Sequence, residues 1–399
     1  MLTRRQLLRR AALGLAGAVA ARGLPSVRPL AWAAPAQQSF GPAVADPAGL
    51  LDLPAGFSYA VLIRSGDAMS DGRVFPPDPD LGAIVDLGDG TAYLVIGHEI
   101  RADLEYEGRF TGSATRLHVG PGNQVLESRL LVEGMRNNCS GSATPWGTVL
   151  SAEESPREPY ETYPDEGYIW EIDPRSGQSW RRDALGRFSH EGTAVDPATG
   201  DVYVTADFRG GPFYRFVPDR PADLSSGALF AYRAADRSWV RIDNPYDAQK
   251  EALAKGATAF NRHEDLEWGI DGRLYITETG NERAPVRERD LYGRIRWFDP
   301  RTLEHGVFLE GSPQTLVMPD NITSDRAGNF FVCEDKNLQL LQLAGDNKVV
   351  VVRPDGSSDV FATMRNGLEP SGVVFSSDYK TLYLNVLAEQ GAVLAITGF

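Results

Sequence analysis

Cysteine is scarce. Two in 399 residues cannot form a disulfide framework, and neither stands in a pair with zinc-site spacing. Long apolar runs are missing as well. Beyond the first 34 residues no stretch approaches the 18 or so apolar residues of a spanning helix, so a soluble mature chain without stable membrane insertion is expected. Basic residues are in deficit: 40 Lys and Arg face 54 Asp and Glu, a formal net charge of −14. Six of those bases (Arg4, Arg5, Arg9, Arg10, Arg22, Arg28) lie in the first 33 residues, which hold no acid, leaving −20 on the rest. Such a surface repels nucleic acid and anionic lipid, and it suits multivalent cations. No G-x-S-x-G elbow and no Walker-type phosphate loop occurs. Helical periodicity is rare too, with residues 247–256 the best short candidate. Gly and Pro together make 67 residues, too few for a low-complexity chain and suited to many tight turns.

What is present begins with an address. Residues 1–34 read as a signal peptide. Thr3-Arg4-Arg5-Gln6-Leu7-Leu8 is a twin-arginine motif, the apolar run Ala11–Ala21 follows, and Ala31-Trp32-Ala33 offers a small-residue cleavage pattern. The run is too short to span a bilayer; the alternative is an amphipathic N-terminal anchor. Passage through the twin-arginine translocation machinery, and a periplasmic or extracellular destination, are the expectation. Residues 35–50 then read as a linker and 51–399 as a single domain, expected to be monomeric.

That domain is patterned as strands. Short β-branched and aromatic runs alternate with Gly, Asp, Asn and Pro turns. Six segments place a turn just before an apolar strand, marked by Tyr93, Leu150, Tyr203, Tyr275, Phe331 and Tyr383 at spacings of 57, 53, 72, 56 and 52 residues. A four-stranded blade needs about 40–50 residues plus loops, so the prediction is an all-β, six-bladed β-propeller with a metal site at its central axis. The competing reading is a β-sandwich of unrelated hairpins.

The register of the repeats points to the metal. Eleven residues before Leu150, Tyr275 and Phe331 stand Cys139, Glu264 and Asp320; twelve before Tyr203 stands Glu191. Equivalent positions in successive blades ring the axis, and three carboxylates with a thiol would repel one another there unless cations neutralised them. Ahead of Tyr93 and Tyr383 the equivalent places are read as Asp80 or Leu81 and as Ser371, which makes the cluster lopsided. A second acidic set, Glu153, Glu154, Asp207, Glu278, Glu334 and Asp335, follows the markers. Acids often end strands and cap turns, which accounts for the set as a whole; Glu154 and Asp335 are kept as further candidate ligands.

Several strings carry a family resemblance: NNCSGSATPWGTVLSAEE (137–154), GRFSHEGTAVD (186–196), NRHEDLEW (261–268) and MPDNITSDRAGNFFVCED (318–335), with LPAGFSYAVLIRSGDAMSDG (53–72) and GHE (97–99) near the start. In this order, and with the twin-arginine leader, they resemble the PhoX-type alkaline phosphatases. The resemblance implies a six-bladed propeller holding ferric and calcium ions, Fe3+ and Ca2+, that hydrolyses phosphomonoesters by attack of a metal-activated oxo or hydroxide. It also implies that Cys139 ligates iron and that Glu191, Glu264 and Asp320 join it around the metals, the four positions the register selects. Ser142, Ala152 and His263 depart from the family strings, and the chain is shorter than the better-known members.

Phosphate ester hydrolysis also needs cationic donors. Arg262, two residues before Glu264, and Arg209 are the candidates, with Asn138 as an amide donor. His190 and His263 read as turn-packing residues rather than ligands, because the adjacent glutamates hold the repeating register. A Cys139–Cys333 disulfide is disfavoured: the two fall in the second and fifth repeats, on opposite sides of a ring of six, whereas a disulfide needs Cα atoms within about 7 Å. Two other functions stay open at this point. One is a calcium-binding propeller scaffold without catalysis; the other is a different propeller hydrolase of lactonase or phytase type.

Overall fold

The computed structural model describes residues 40–46, 49–100, 109–154, 165–281, 290, 292–336 and 345–399. The leader falls outside the described residues. Ser39–Phe399 form one compact unit.

Each of the six markers lies on the second strand of its own antiparallel sheet, and the six sheets are the blades of a propeller. The inner strands, from blade 1 to blade 6, are Pro79–Asp86, Asn138–Ala143, His190–Val195, His263–Trp268, Pro319–Ser324 and Glu369–Phe375. Their second strands are Ala92–His98, Val149–Glu153, Val202–Ala206, Leu274–Glu278, Phe330–Glu334 and Thr381–Leu387. Blade 6 takes its outermost strand, Ser58–Arg64, from the other end of the domain, with Thr397 paired to Ser58. Just upstream, Leu51–Pro54 and Ala43–Val44 lengthen the outer edge of blade 5. There Arg365 grips Asp52 through two bonds of 2.6 and 2.9 Å. The stretch expected as a linker therefore contributes, in its described part, the Ala43–Val44 strand.

The marker positions are aromatic or apolar for a packing reason. A separate apolar core fills each of the six gaps between neighbouring blades, and each marker sits in a different one. Phe331, fully buried, meets Phe361, Phe375 and Phe399 between blades 5 and 6, with ring centroids 5.1–5.7 Å apart. Burying a side chain of this size stabilises by roughly 1.5–3 kcal/mol, so six such contacts tie the ring together. The short helix expected near 247–256 is present as Ala248–Ala254, and its Ala248 and Ala252 close the core between blades 2 and 3.

One irregularity recurs in every inner strand. The pairing shifts by one residue between Pro79 and Gly82, Asn138 and Gly141, His190 and Thr193, His263 and Leu266, Pro319 and Ile322, and Ser371 and Val374. These are β-bulges, which re-aim a side chain where the ladder is interrupted. The first bulged residue of each is Asp80, Cys139, Glu191, Glu264, Asp320 and Gly372.

Candidate metal centre

The bulges place Asp80, Cys139, Glu191, Glu264 and Asp320 around the axis, and the first four are at most 5 % exposed. This corrects the lopsided reading of the repeats. Asp80 belongs to the ring, and Gly372 rather than Ser371 holds the sixth place. That place takes no side chain: Gly372 has φ +54, and a Cβ there would stand 1.8 Å from the Asp80 carbonyl oxygen.

Neighbouring blades fix the ring residues through their backbones. Thr205 of blade 3 donates to the Glu264 carbonyl, Thr277 of blade 4 to that of Asp320, and Asn385 of blade 6 to that of Asp80. The residue ahead of the inner strand is left-handed in four blades: Asp78, Asn137, Arg262 and Met318 have φ of 48, 47, 55 and 50. Their carbonyls accept the N–H groups of Glu99, Glu154, Thr279 and Asp335, the residues that directly follow the second strands. A second, partly buried tier thus follows the first, formed by Glu99, Glu154, Asp207 and Asp335. Glu369, at the start of blade 6's inner strand, joins both tiers electrostatically.

Three triads bring potential ligand atoms within 4.8 Å of one another: Asp80 with Cys139 and Glu191, Glu99 with Cys139 and Glu154, and Glu191 with Asp207 and Glu264. Asp320 and Asp335 interact with this group electrostatically, although neither is in a triad. Cys139 and Cys333 are both free thiols; Cys333 lies in the core between blades 5 and 6.

Arg262 binds Asp207 through two bonds of 2.8 and 3.1 Å and stands 3.1 Å from Glu264. Burial opposes its charge, but Asp207 and Glu264 hold it firmly cationic. Arg209 and Asn261 pair in a short two-stranded ladder, so both candidate arginines come from one rim of the site. Asn138 turns its amide to Ser151, 2.9 Å away, and to Met135. It is the preceding Asn137 that reaches the acids, donating to Glu154 at 2.6 Å. The bulge reverses which of the two neighbours faces the axis.

Burial, and then mutual repulsion, push the carboxyls of Asp80, Glu191, Asp320 and Glu369 well above the usual range. Glu264 rises for the same reasons, with Arg262 opposing. The Cys139 thiol is raised by burial and by Glu191. The Asp80 Oδ1 atom is buried with no hydrogen-bond partner. Crowded oxygen donors with an unsatisfied atom suit hard multivalent cations, and a thiolate among them suits iron more than calcium. The residues present fit ferric and calcium ions.

The family-string departures have structural accounts. Ser142 bonds Thr193 of the next blade at 2.8 Å. Ala152 fills the core between blades 2 and 3. His263 stacks on Phe260 at 4.2 Å and stands 3.4 Å from Glu278. His190 likewise packs against Phe188, at 3.6 Å, and donates Nε2–H to the Gly186 carbonyl at 3.0 Å.

Comparison with known proteins follows the same lines. The family model described as Alkaline phosphatase PhoX matches residues 38–115 and 90–389. Pseudomonas fluorescens PhoX, solved in complex with vanadate, a transition state analogue, superposes with a TM-score of 0.75 at 20% identity, over 89% of this chain and 97% of that one. A putative gluconolactonase aligns with a TM-score of 0.50 at 13% identity, over 89% of this chain and 97% of that one. A Xanthomonas campestris gluconolactonase gives 0.49 at 14%, over 90% and 98%. No curated protein matches the sequence.

Proposed function

The chain belongs to the PhoX alkaline phosphatase family and is a phosphatase, and on that premise we propose that it is an exported phosphomonoesterase working through ferric and calcium ions at the propeller axis. One observation carries the metal reading. Nine carboxylates and a thiol (Asp80, Glu99, Cys139, Glu154, Glu191, Asp207, Glu264, Asp320, Asp335, Glu369) converge at the axis, with the Arg262 guanidinium held against Asp207 and Glu264. Burying so many like charges is unfavourable unless cations pair with them.

Cys139, Glu191, Glu264, Asp320, Glu154 and Asp335 would hold the ions, joined by Asp80, Glu99 and Asp207. Such ions, when bound, withdraw charge from phosphoryl oxygens and activate the attacking oxygen. The remaining work belongs to side chains. Arg262, locked by Asp207, presents a fixed guanidinium to phosphoryl oxygens and stabilises the charge that grows on them in the transition state. Arg209 supplies a second cation from the same rim. Asn137 holds Glu154 in place. Vanadate bound to the P. fluorescens protein supports a phosphoryl-transfer site in this fold. The leader at residues 1–34, with its arginine pair, supports export to the periplasm or beyond through the twin-arginine machinery.

The test joins metal analysis of natively exported protein with assays on a chromogenic phosphomonoester, a phosphodiester and a lactone. Iron and calcium together with monoester-selective hydrolysis are expected. Calcium without iron or hydrolysis would mean a scaffold, and lactone turnover a different hydrolase.

A further inference from the structure

Asp265 follows Glu264 and completes the bulge of blade 4. It is buried, and its carboxyl is engaged by donors from three blades. Oδ1 accepts the N–H of Leu266 in its own strand at 2.8 Å, and Oδ2 accepts the N–H of Ile322 in blade 5 at 3.2 Å. The third donor is the Ser140 hydroxyl of blade 2. Blades 2 and 4 are not neighbours, so the side chain has to pass blade 3 to make this last bond. A glycine leaves it the room: a Cβ on Gly192 would stand 2.7 Å from the Asp265 Cα and 2.8 Å from its Oδ1.

Each of these ties ends close to a ring residue. Ser140 follows Cys139, and its own N–H donates to Glu191 at 3.2 Å. Ile322 stands two residues after Asp320, where pairing resumes past the bulge. Past the ring the axis opens, and residues of all six inner strands, Asp265 among them, line a cavity of about 360 Å³. Strands that border a cavity have no packing partner across it, so a hydrogen-bonded cross-tie is what can hold their spacing. We propose that Asp265 is a positioning residue of the metal centre: one carboxylate that couples the bulges of blades 2, 4 and 5 and so sets Cys139, Glu191, Glu264 and Asp320 at a fixed spacing. The proposal rests on the metal reading above and adds a residue outside the ligand set. Ligands held in place beforehand lose less freedom on binding, which raises affinity.

The experiment compares Asp265→Asn and Ser140→Ala with Glu171→Gln. Asp265→Asn keeps the shape but puts an amide donor where an oxygen accepted, and Ser140→Ala removes only the tie to blade 2. Glu171, a buried acid on blade 2's third strand (Ile169–Ile172), accepts bonds of 2.7–2.9 Å from Trp146, Thr148 and Arg182, so its loss reports on stability alone. In metal-loaded protein, competition with a chelator should show iron held about ten- to a hundredfold more weakly in the first two variants. Their thiolate-to-iron absorption band should shift, and kcat should fall with little change in KM. Glu171→Gln should lower the unfolding temperature and leave band and iron affinity at the wild-type values. A wild-type band and iron affinity in Asp265→Asn and Ser140→Ala, whatever their stability, overturn the positioning role and leave the metal reading standing. Should Asp265→Asn fail to fold, Ser140→Ala decides. Wild-type protein that takes up no iron overturns both.

Discussion

Glu153 and Glu154 are neighbours, yet they belong to different worlds. Glu153 is buried between blades and receives the backbone N–H groups of Arg136 (3.0 Å) and Tyr168 (3.2 Å) and the indole of Trp170 (3.0 Å). Glu278 and Glu334 occupy the same place in blades 4 and 5. Glu278 stands 2.7 Å from Arg296 and 3.2 Å from Arg294, and Glu334 stands 3.0 Å from Lys336 and accepts the Val317 N–H at 2.9 Å. One residue further along the chain, Glu154 and Asp335 face the axis, where acid meets acid. The lesson concerns donors. An acid surrounded by matching donors is part of the frame, whereas acids crowded against one another, as in the three triads, make the candidate ion site.

Substitutions should separate the two groups. The largest effect is expected at the axis. Cys139→Ala should abolish iron binding and the colour of thiolate-to-iron charge transfer, and should lower phosphomonoester turnover by on the order of a hundredfold or more. Calorimetry of metal-free protein should show little change, and a large fall in its unfolding temperature would break the division. Glu278→Ala should do the reverse. Removing one partner of a buried ion network costs about 3–5 kcal/mol, read as a lower denaturant midpoint, while iron content stays at the wild-type level.

Asp207→Asn tests a finer point, because Asp207 both faces the axis and fixes Arg262. Loosening that guanidinium should weaken substrate interactions by about 1.5–3 kcal/mol, the worth of a charged hydrogen bond, visible in KM more than in thermal stability. The smallest effect belongs to Glu267, further along blade 4's inner strand from the ring. Burial raises its carboxyl to about 8, against a donated bond from Ser324 at 3.1 Å. The folded protein therefore keeps this proton to a higher pH than the unfolded chain, and stability drains away as pH rises from the ordinary carboxylate range through about 8. Glu267→Gln should raise the unfolding temperature above pH 8 by a few degrees, roughly what 1 kcal/mol gives a domain of this size, and the gain should vanish near pH 4.

The propeller and the core of the site could be read from sequence because both repeat. Markers pack into six equivalent gaps, and Cys139, Glu191, Glu264 and Asp320 keep step with them because each blade bulges at the same point. Asp80 stayed undecided against Leu81 because it stands thirteen residues ahead of Tyr93: blade 1's inner strand, Pro79–Asp86, runs two residues longer than the six-residue inner strands of blades 2 to 5. Asp207 looked like an ordinary strand-ending acid and Glu99 was not singled out, since sequence does not say which face a residue takes once pairing stops. Glu369 has no counterpart in other blades, because blade 6 alone begins its inner strand two residues before the last pair ahead of the bulge. The choice between Asn137 and Asn138 turned on the phase of a bulge, which only the folded chain displays.

The pairing of Ser58 with Thr397 has a kinetic consequence. A strand made near the beginning must wait for one made at the very end, and contacts so distant in sequence are slow to form. On the ribosome the first five blades have no partner with which to shut the circle. Asp80 and Glu369 sit on the two blades that the closure joins, so the ring of acids is complete only once the two ends of the propeller have met. On the metal reading proposed above, uptake of an ion would report on the finished molecule: a chain whose ring has not yet closed has only part of a nest to offer.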